Sequence, residues 1–174
     1  MAIVTWVASS VPKAMRIGQP YPSPGGRRYG AGVPAILTGC AFCDIASRAA
    51  PAAVVLDEPD VLAFLDRTPV FPGHVLLVPR DHHVTLADLP TDLIAPLFGA
   101  AQRLSIAVQA ALDADGTWVS MNNVVSQSVA HLHVHVVPRR RKDGLRGFYW
   151  PRQKYESDGA MQAVADRIAA ALTA

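Results

Sequence analysis

The stretch Ser126-Gln127-Ser128-Val129-Ala130-His131-Leu132-His133-Val134-His135-Val136-Val137-Pro138 decides how this chain is read. It holds three of the chain's six histidines, spaced i, i+2 and i+4 and separated by Leu and Val. Its β-branched and apolar flanks give it the period of a strand. Alternation then sends His131, His133 and His135 to one face and Leu132, Val134 and Val136 into a core on the other. Same-face neighbours in a strand lie about 6.5–7 Å apart, so three imidazoles line up within reach of one phosphate group or metal. Imidazole is costly to bury without partners, so core packing alone does not account for the pattern.

A neutral imidazole is a competent nucleophile near pH 7, because its unperturbed pKa is about 6.5. Attack at phosphorus through a covalent intermediate splits one hard displacement into two easier ones. His133, flanked by both other rings, is the natural attacker. His135 and the Ser128 hydroxyl can donate hydrogen bonds to phosphate oxygens and the leaving group. A metal site without catalysis, or a solvent-facing polar strand, would use the same spacing.

Around that stretch lie 174 residues, 51% of them hydrophobic, enough for one sizeable core and one domain. The formal net charge of +2 is too small by itself to imply nucleic-acid binding. No apolar run approaches the roughly 18–20 residues of a membrane span. The start, Met1 to Ala8, lacks the basic region of a secretory signal, and a cytoplasmic protein is expected. Cys40 and Cys43, spaced C-x-x-C, suggest metal or redox chemistry in place of a disulfide framework.

Residues 1–36 are rich in Pro, Gly and small side chains and read as an extended arm, with 37–174 as a single domain. Within that domain, a turn at Cys40 enters a short helix that Pro51 stops. Two short strands, Ala53–Leu56 and Val61–Leu65, flank a hairpin signal at Asp57-Glu58-Pro59-Asp60. His74–Pro79 reads as a buried strand, and His74 as a satisfied structural histidine. From Thr91 to about Ala114, Leu93, Ile94, Leu97, Phe98, Ala101, Leu104, Val108 and Leu112 recur at helical spacing, ended by Asp115-Gly116. Trp118–Val125 reads as a strand leading to the histidines, and Ser157–Leu172 as a closing helix. The hairpin signals favour an antiparallel α+β domain of about five strands with one long helix and a C-terminal helix.

Gln-Ser-Val followed by His-Leu-His-Val-His-Val-Val resembles the signature of the histidine-triad (HIT) superfamily of nucleotide hydrolases and transferases, in its bacterial C-x-x-C form. Cys40-Ala41-Phe42-Cys43-Asp44-Ile45, Val61–Asp66, Pro72-Gly73-His74 and Pro79-Arg80-Asp81-His82 follow in the family's order, so the resemblance spans roughly residues 38–140. It implies that His133 attacks the α-phosphorus and becomes nucleotidylated, with Gln127, Ser128 and His135 serving the phosphate and leaving group. It places Asp66 at the ribose hydroxyls. Phe42, Ile45 and Phe64 fall where apolar side chains surround the base, though ordinary core residues would read alike. The family's Asn-x-Gly and Gly-rich turn are replaced by Met121-Asn122-Asn123-Val124-Val125-Ser126, shorter and without glycine. Asn122 or Asn123 is left to reach phosphate.

Some branches complete a zinc site around C-x-x-C, which maps onto Cys40, Cys43, His82 and His131, with His83 as the neighbour competing with His82. Such a zinc would be structural and the chemistry itself would need no metal. A homodimer is likewise implied by the family. From about 139, Arg139, Arg140, Arg141, Lys142, Arg146, Arg152 and Lys154 crowd together with Phe148, Tyr149 and Trp150. That tail reads as a surface loop or as a substrate rim.

The expected activity is hydrolysis or nucleotidyl transfer at the α-phosphate of nucleoside phosphoramidates or dinucleoside polyphosphates. The alternatives are removal of adenylate from nucleic-acid 5′ ends, motivated by the basic tail, and a nucleotide-binding or zinc-stabilised module without turnover.

Overall fold

Hydrophobic alternation along five short strands builds one antiparallel sheet, in which the fifth strand of the sequence lies between the third and the fourth. The structure, a computed structural model, describes residues 39–145 and 154–172. The strands are β1 (Val54–Asp57), β2 (Val61–Leu65), β3 (Val75–Pro79), β4 (Gly116–Ser120) and β5 (Val134–Arg139), with helices α1 (Ala41–Ala46), α2 (Thr91–Leu112) and α3 (Asp158–Leu172). The chain divides into two compact units, residues 1–141 and 142–174. The expected arm, residues 1–36, and the tail segment 146–153 lie outside the described residues.

The two sheet faces follow from the alternation. Val61, Ala63, Val75, Leu77, Val134 and Val136 point to one side, where α2 covers them with Leu97, Ala100, Ala101, Leu104 and Val108. Leu132, just before β5, joins this core. Leu62, Phe64, Leu76 and Val78 point to the other side, under Cys40, Phe42 and Cys43 at the start of α1. Register places Phe64 opposite Leu76, Leu76 opposite His135, and His135 opposite Ser120. The third histidine therefore sits in a cross-sheet row on the α1 face. Pairing of β1 with β2 is interrupted by a bulge between Val54 and Leu56, whereas β4 pairs with β5 without a shift.

Several expectations change. The histidine strand begins at Val134, not upstream of it, because the preceding backbone bonds elsewhere: His131 N–H donates to Val129 O (2.8 Å) and Leu132 N–H to His83 O (2.6 Å). The strand before it stops at Ser120, and the loop that follows carries left-handed Val124 (φ 68°) and Ser126 (φ 61°). On α2, Ile94 and Phe98 turn away from the sheet and stay about 40% exposed. That helix also meets the length and composition of a membrane-crossing segment, contrary to the expectation that no run comes close. Its buried stripe against the sheet is that of an amphipathic core helix.

Asp113, in the left-handed conformation, ends α2 before the expected Asp115-Gly116. The Arg140 guanidinium donates to the last helix carbonyls, Leu112 O and Asp113 O (2.7 Å). Arg80, at the end of β3, ties three segments together: its guanidinium donates to Glu58 O (2.6 Å), to Ala46 O at the end of α1 (3.3 Å) and to the Asp57 carboxylate. Gly73 (φ 94°) leads into β3 where the tip of Leu112 closes on its backbone, leaving no room for a Cβ. In the second unit, Ser157 Oγ accepts from Ala160 N–H (3.1 Å) at the start of α3.

Candidate active site and metal centre

Cys40 flanks the start of α1 in an extended conformation and makes no side-chain cap bond, and Cys43 lies one turn along. Both cysteines are free and buried. Cys40 Sγ and Cys43 Sγ each lie 3.5 Å from His131 Nδ1, and Cys43 Sγ lies 3.3 Å from His82 Nδ1. One donor atom from each of the four residues falls within 4.8 Å of the others. A tetrahedron with metal–sulfur bonds of about 2.3 Å and metal–nitrogen bonds of about 2.0–2.1 Å has sulfur–nitrogen edges of about 3.5 Å, so the quartet fits a zinc-sized ion. Burial would raise the Cys40 thiol, but the His131 and His82 rings more than offset it and bring it to about 5, toward the thiolate a metal needs. Between the two adjacent candidates, His82 joins the quartet. His83 Nε2 is buried without a hydrogen-bond partner among the described residues.

Every polar group of His131 is engaged. Its Nε2–H donates to Pro79 O (2.9 Å), which turns the Nδ1 lone pair toward the two sulfurs. Its carbonyl accepts from His133 Nδ1–H at 2.6 Å. A carbonyl oxygen can only accept, so the proton of neutral His133 is fixed on Nδ1 and its Nε2 carries the lone pair. His133 is 2% exposed, and burial holds its pKa below the ordinary 6.5 against that raising hydrogen bond. The ring is thus neutral at pH 7, with its lone pair on Nε2. Phe42 packs edge-on to it, centroid to centroid 5.3 Å, and also to His131 (5.9 Å) and Phe64 (5.4 Å).

His135 follows at 4.9 Å from the His133 ring, tilted by 75°. Burial, then the neighbouring His133 and His74 rings, lower it to about 4, with Asp66 pulling the other way. Its Nδ1 meets His74 Nε2 at 2.9 Å, and His74 Nδ1 lies 3.2 Å from Asp66 Oδ2. His74 is buried and satisfied, as expected, but its partner is the triad itself. Burial lowers His74 below 6.5, so the Asp66 contact is a hydrogen bond from a neutral ring and not an ion pair. Val70 N–H also points at Nδ1, 3.3 Å away, and one nitrogen cannot serve both. The carboxylate decides it, since a lone pair facing a charged oxygen at this distance is repulsive, so Nδ1 carries the proton.

Asp66 is therefore anchored rather than free: Oδ1 accepts from Thr68 N–H (2.9 Å) and Oδ2 faces His74, with the side chain 21% exposed. Gln127 bridges two loops, its Nε2 donating to Val84 O (2.6 Å) and its Oε1 accepting from Val124 N–H (2.9 Å). Asn123 Oδ1 accepts from Leu86 N–H (2.7 Å), and Asn122 Nδ2 donates to Ser126 O (3.2 Å). These amides hold the turn in shape. Ser128 is exposed on the same loop. Phe42 and Phe64 are core residues of the α1 face, with Ile45 half-buried against them. Ser120, half-buried opposite His135, is a further residue on this face that the sequence did not single out.

A family model described as the HIT domain matches residues 47–142. The chain belongs to the HIT family. An adenosine 5′-monophosphoramidase of Saccharomyces cerevisiae is 32% identical to this HIT protein over 127 residues, 72% of this chain and 78% of the relative. Among solved structures, SMU.412c of Streptococcus mutans superposes with a TM-score of 0.72 at 29% identity, covering 93% of this chain and 99% of its own. A Zn-bound histidine triad family protein of Mycobacterium smegmatis is 34% identical, with a TM-score of 0.60 over 76% of this HIT protein and 97% of its own chain.

Proposed function

We propose that this HIT protein hydrolyses nucleoside phosphoramidates and related nucleotidyl compounds, dinucleoside polyphosphates among them, through a nucleotidyl intermediate on His133. The observation that carries the reading is the hydrogen bond from His133 Nδ1–H to the His131 carbonyl, which leaves Nε2 unprotonated in a neutral, buried ring. Similarity to a yeast adenosine 5′-monophosphoramidase makes an adenosine phosphoramidate the first substrate to try.

In this scheme His133 Nε2 attacks the α-phosphorus and the phosphorus–nitrogen bond breaks. The negative charge of the bound phosphate favours a proton on His135, whose imidazolium is supported through His74 by Asp66. His135 gives that proton to the departing amine and then takes one from the water that releases the nucleoside monophosphate. Ser128 and Gln127 lie on the loop facing the leaving group, Asn122 contributes to the phosphate side, and free lone pairs of Asp66 take the ribose hydroxyls. Phe42, Ile45 and Phe64 wall the base. Zinc is the ion we assign to Cys40, Cys43, His82 and His131, since two thiolates and two imidazoles close a tetrahedron without an open position. It supplies structure there, and the chemistry runs on imidazole.

A homodimer is part of the same proposal. Ile94, Phe98 and Ile106 on α2 and Val119 on the edge strand β4 are exposed apolar side chains suited to a second copy, which light scattering tests. Two free thiols fit a reducing, cytoplasmic setting. Nucleic acid is not favoured as a partner, because Arg140 is engaged at the end of α2.

The decisive experiment is mass spectrometry of protein quenched during turnover of adenosine phosphoramidate, diadenosine polyphosphate and a 5′-adenylylated oligonucleotide. We expect a nucleotidyl adduct on His133 with the phosphoramidate and none in His133→Ala, which loses turnover. Full turnover by His133→Ala without an adduct in the wild type would sink the assignment. Preference for the oligonucleotide would instead favour 5′-adenylate removal.

A further inference from the structure

Two centres on the α1 face share a single residue. The His131 ring belongs to the Cys40–Cys43–His82 quartet, while its carbonyl fixes the proton of His133. The ring cannot turn without the backbone following, since Nε2–H is tied to Pro79 O and N–H to Val129 O. A second link runs through Phe42, which lies between the two cysteines in sequence and touches both His131 and His133 edge-on. Nothing covalent closes the quartet, because both cysteines are free. An ion would add a joint between α1, the His82 corner and the approach to β5, beside the hydrogen bond from Leu132 N–H to His83 O.

We propose that His131 is a positioning residue that makes the nucleophile depend on the metal: an ion held by Cys40, Cys43, His82 and His131 fixes the Nδ1–H tautomer and the orientation of His133, and loss of the ion releases them. The kinetic side of this rests on the nucleotidyl-hydrolase reading, whereas the tautomer side does not. With the ion gone, His131 keeps its bonds to Pro79 O and Val129 O but loses the tie to α1 and the His82 corner, and its carbonyl holds His133 Nδ1–H less firmly. The Nε2–H tautomer then competes, and it has no lone pair to aim at phosphorus. Binding of nucleotide also draws on Asp66 and Phe64, which lie outside the quartet and α1, and is affected less than the chemical step.

The test compares zinc-loaded protein, the same protein stripped by a chelator, and the stripped protein after zinc is restored. Nitrogen-15 correlation spectra of the imidazoles, recorded at mildly alkaline pH, report the His133 tautomer directly. We expect one Nδ1–H form when loaded, a mixture when stripped, and recovery on adding zinc. Turnover should follow, with kcat falling about 10- to 100-fold and KM changing little, as for groups that act by orienting another. A His133 spectrum and a kcat indifferent to complete zinc removal overturn the proposal, as does a folded protein that takes up no zinc. If the stripped chain unfolds, His82→Gln, which weakens the ion's hold but leaves His131 and α1 untouched, is titrated with zinc. The His133 signals must then track occupancy, and signals that stay fixed overturn the proposal. Should the loaded protein hydrolyse nothing, the proposed function fails while the spectra still decide the coupling.

Discussion

His74 Nε2 lies 2.9 Å from His135 Nδ1, extending the triad into a chain of polar contacts that ends at Asp66. His74→Ala removes the ring between the carboxylate and His135. We expect kcat to fall by about 10- to 100-fold, as for a group that acts by orienting another. His74→Gln, which keeps a polar atom toward His135, should retain more activity. Steady-state kinetics on the phosphoramidate decide it, and wild-type turnover in His74→Ala would show that the chain carries nothing.

Acid should lower both activity and stability. His133 titrates below 6.5 in the fold, so the acid limb of kcat/KM lies below that value, where the nucleophile finally takes a proton. His135 is lowered to about 4, so the unfolded chain binds its proton near 6.5 and the folded chain only near 4. Its contribution to stability is complete above 6.5 and is lost as the pH falls from 6.5 to about 4. Urea midpoints measured across that interval should decline, and less steeply in His135→Asn.

Arg80 stands at the junction of α1, the β1–β2 turn and β3. Replacing it by Met leaves Ala46 O and Glu58 O without their donor and should cost about 2 kcal/mol, as for hydrogen bonds to a charged group. Asp57→Asn should cost less, since that carboxylate is 41% exposed. An Arg80→Met protein with an unchanged urea midpoint would contradict this.

The loop before the triad holds a β-branched residue, Val124, at φ 68°. A left-handed conformation costs an L-residue roughly 1–2 kcal/mol, and more for valine, so Val124→Gly should raise stability by about 1 kcal/mol despite the added freedom of the unfolded chain. Thermal unfolding measures it. Kinetics of the same variant then report whether the strained turn also shapes the leaving-group side.

What the sequence made legible was local or strictly periodic. Val134 and Val136 enter the core because period 2 leaves them no other face, and α2 is buried along the stripe its spacing shows. The metal quartet was legible only through the family resemblance, which mapped two histidines onto the C-x-x-C pair. The Asp66–His74–His135 chain was not legible, because it depends on register. His74 lies two residues before Leu76, which pairs with His135, so the two rings are diagonal neighbours across strands whose alignment no local pattern states. The partners of the loop amides were hidden for a related reason. Gln127 and Asn123 bond to Val84 O and Leu86 N, in a corner brought near only by the packing of the whole sheet.

The two rims of the sheet are unequal. On β1 the bulge between Val54 and Leu56 breaks the repeat of donors and acceptors that an incoming strand must match. Along β4, from Gly116 to Ser120, the ladder with β5 is unbroken, so the groups on its outer side keep an even spacing. Any growth of this sheet by strand addition is therefore directed to one side, and charge placed at Val119 would close that side without touching the histidines.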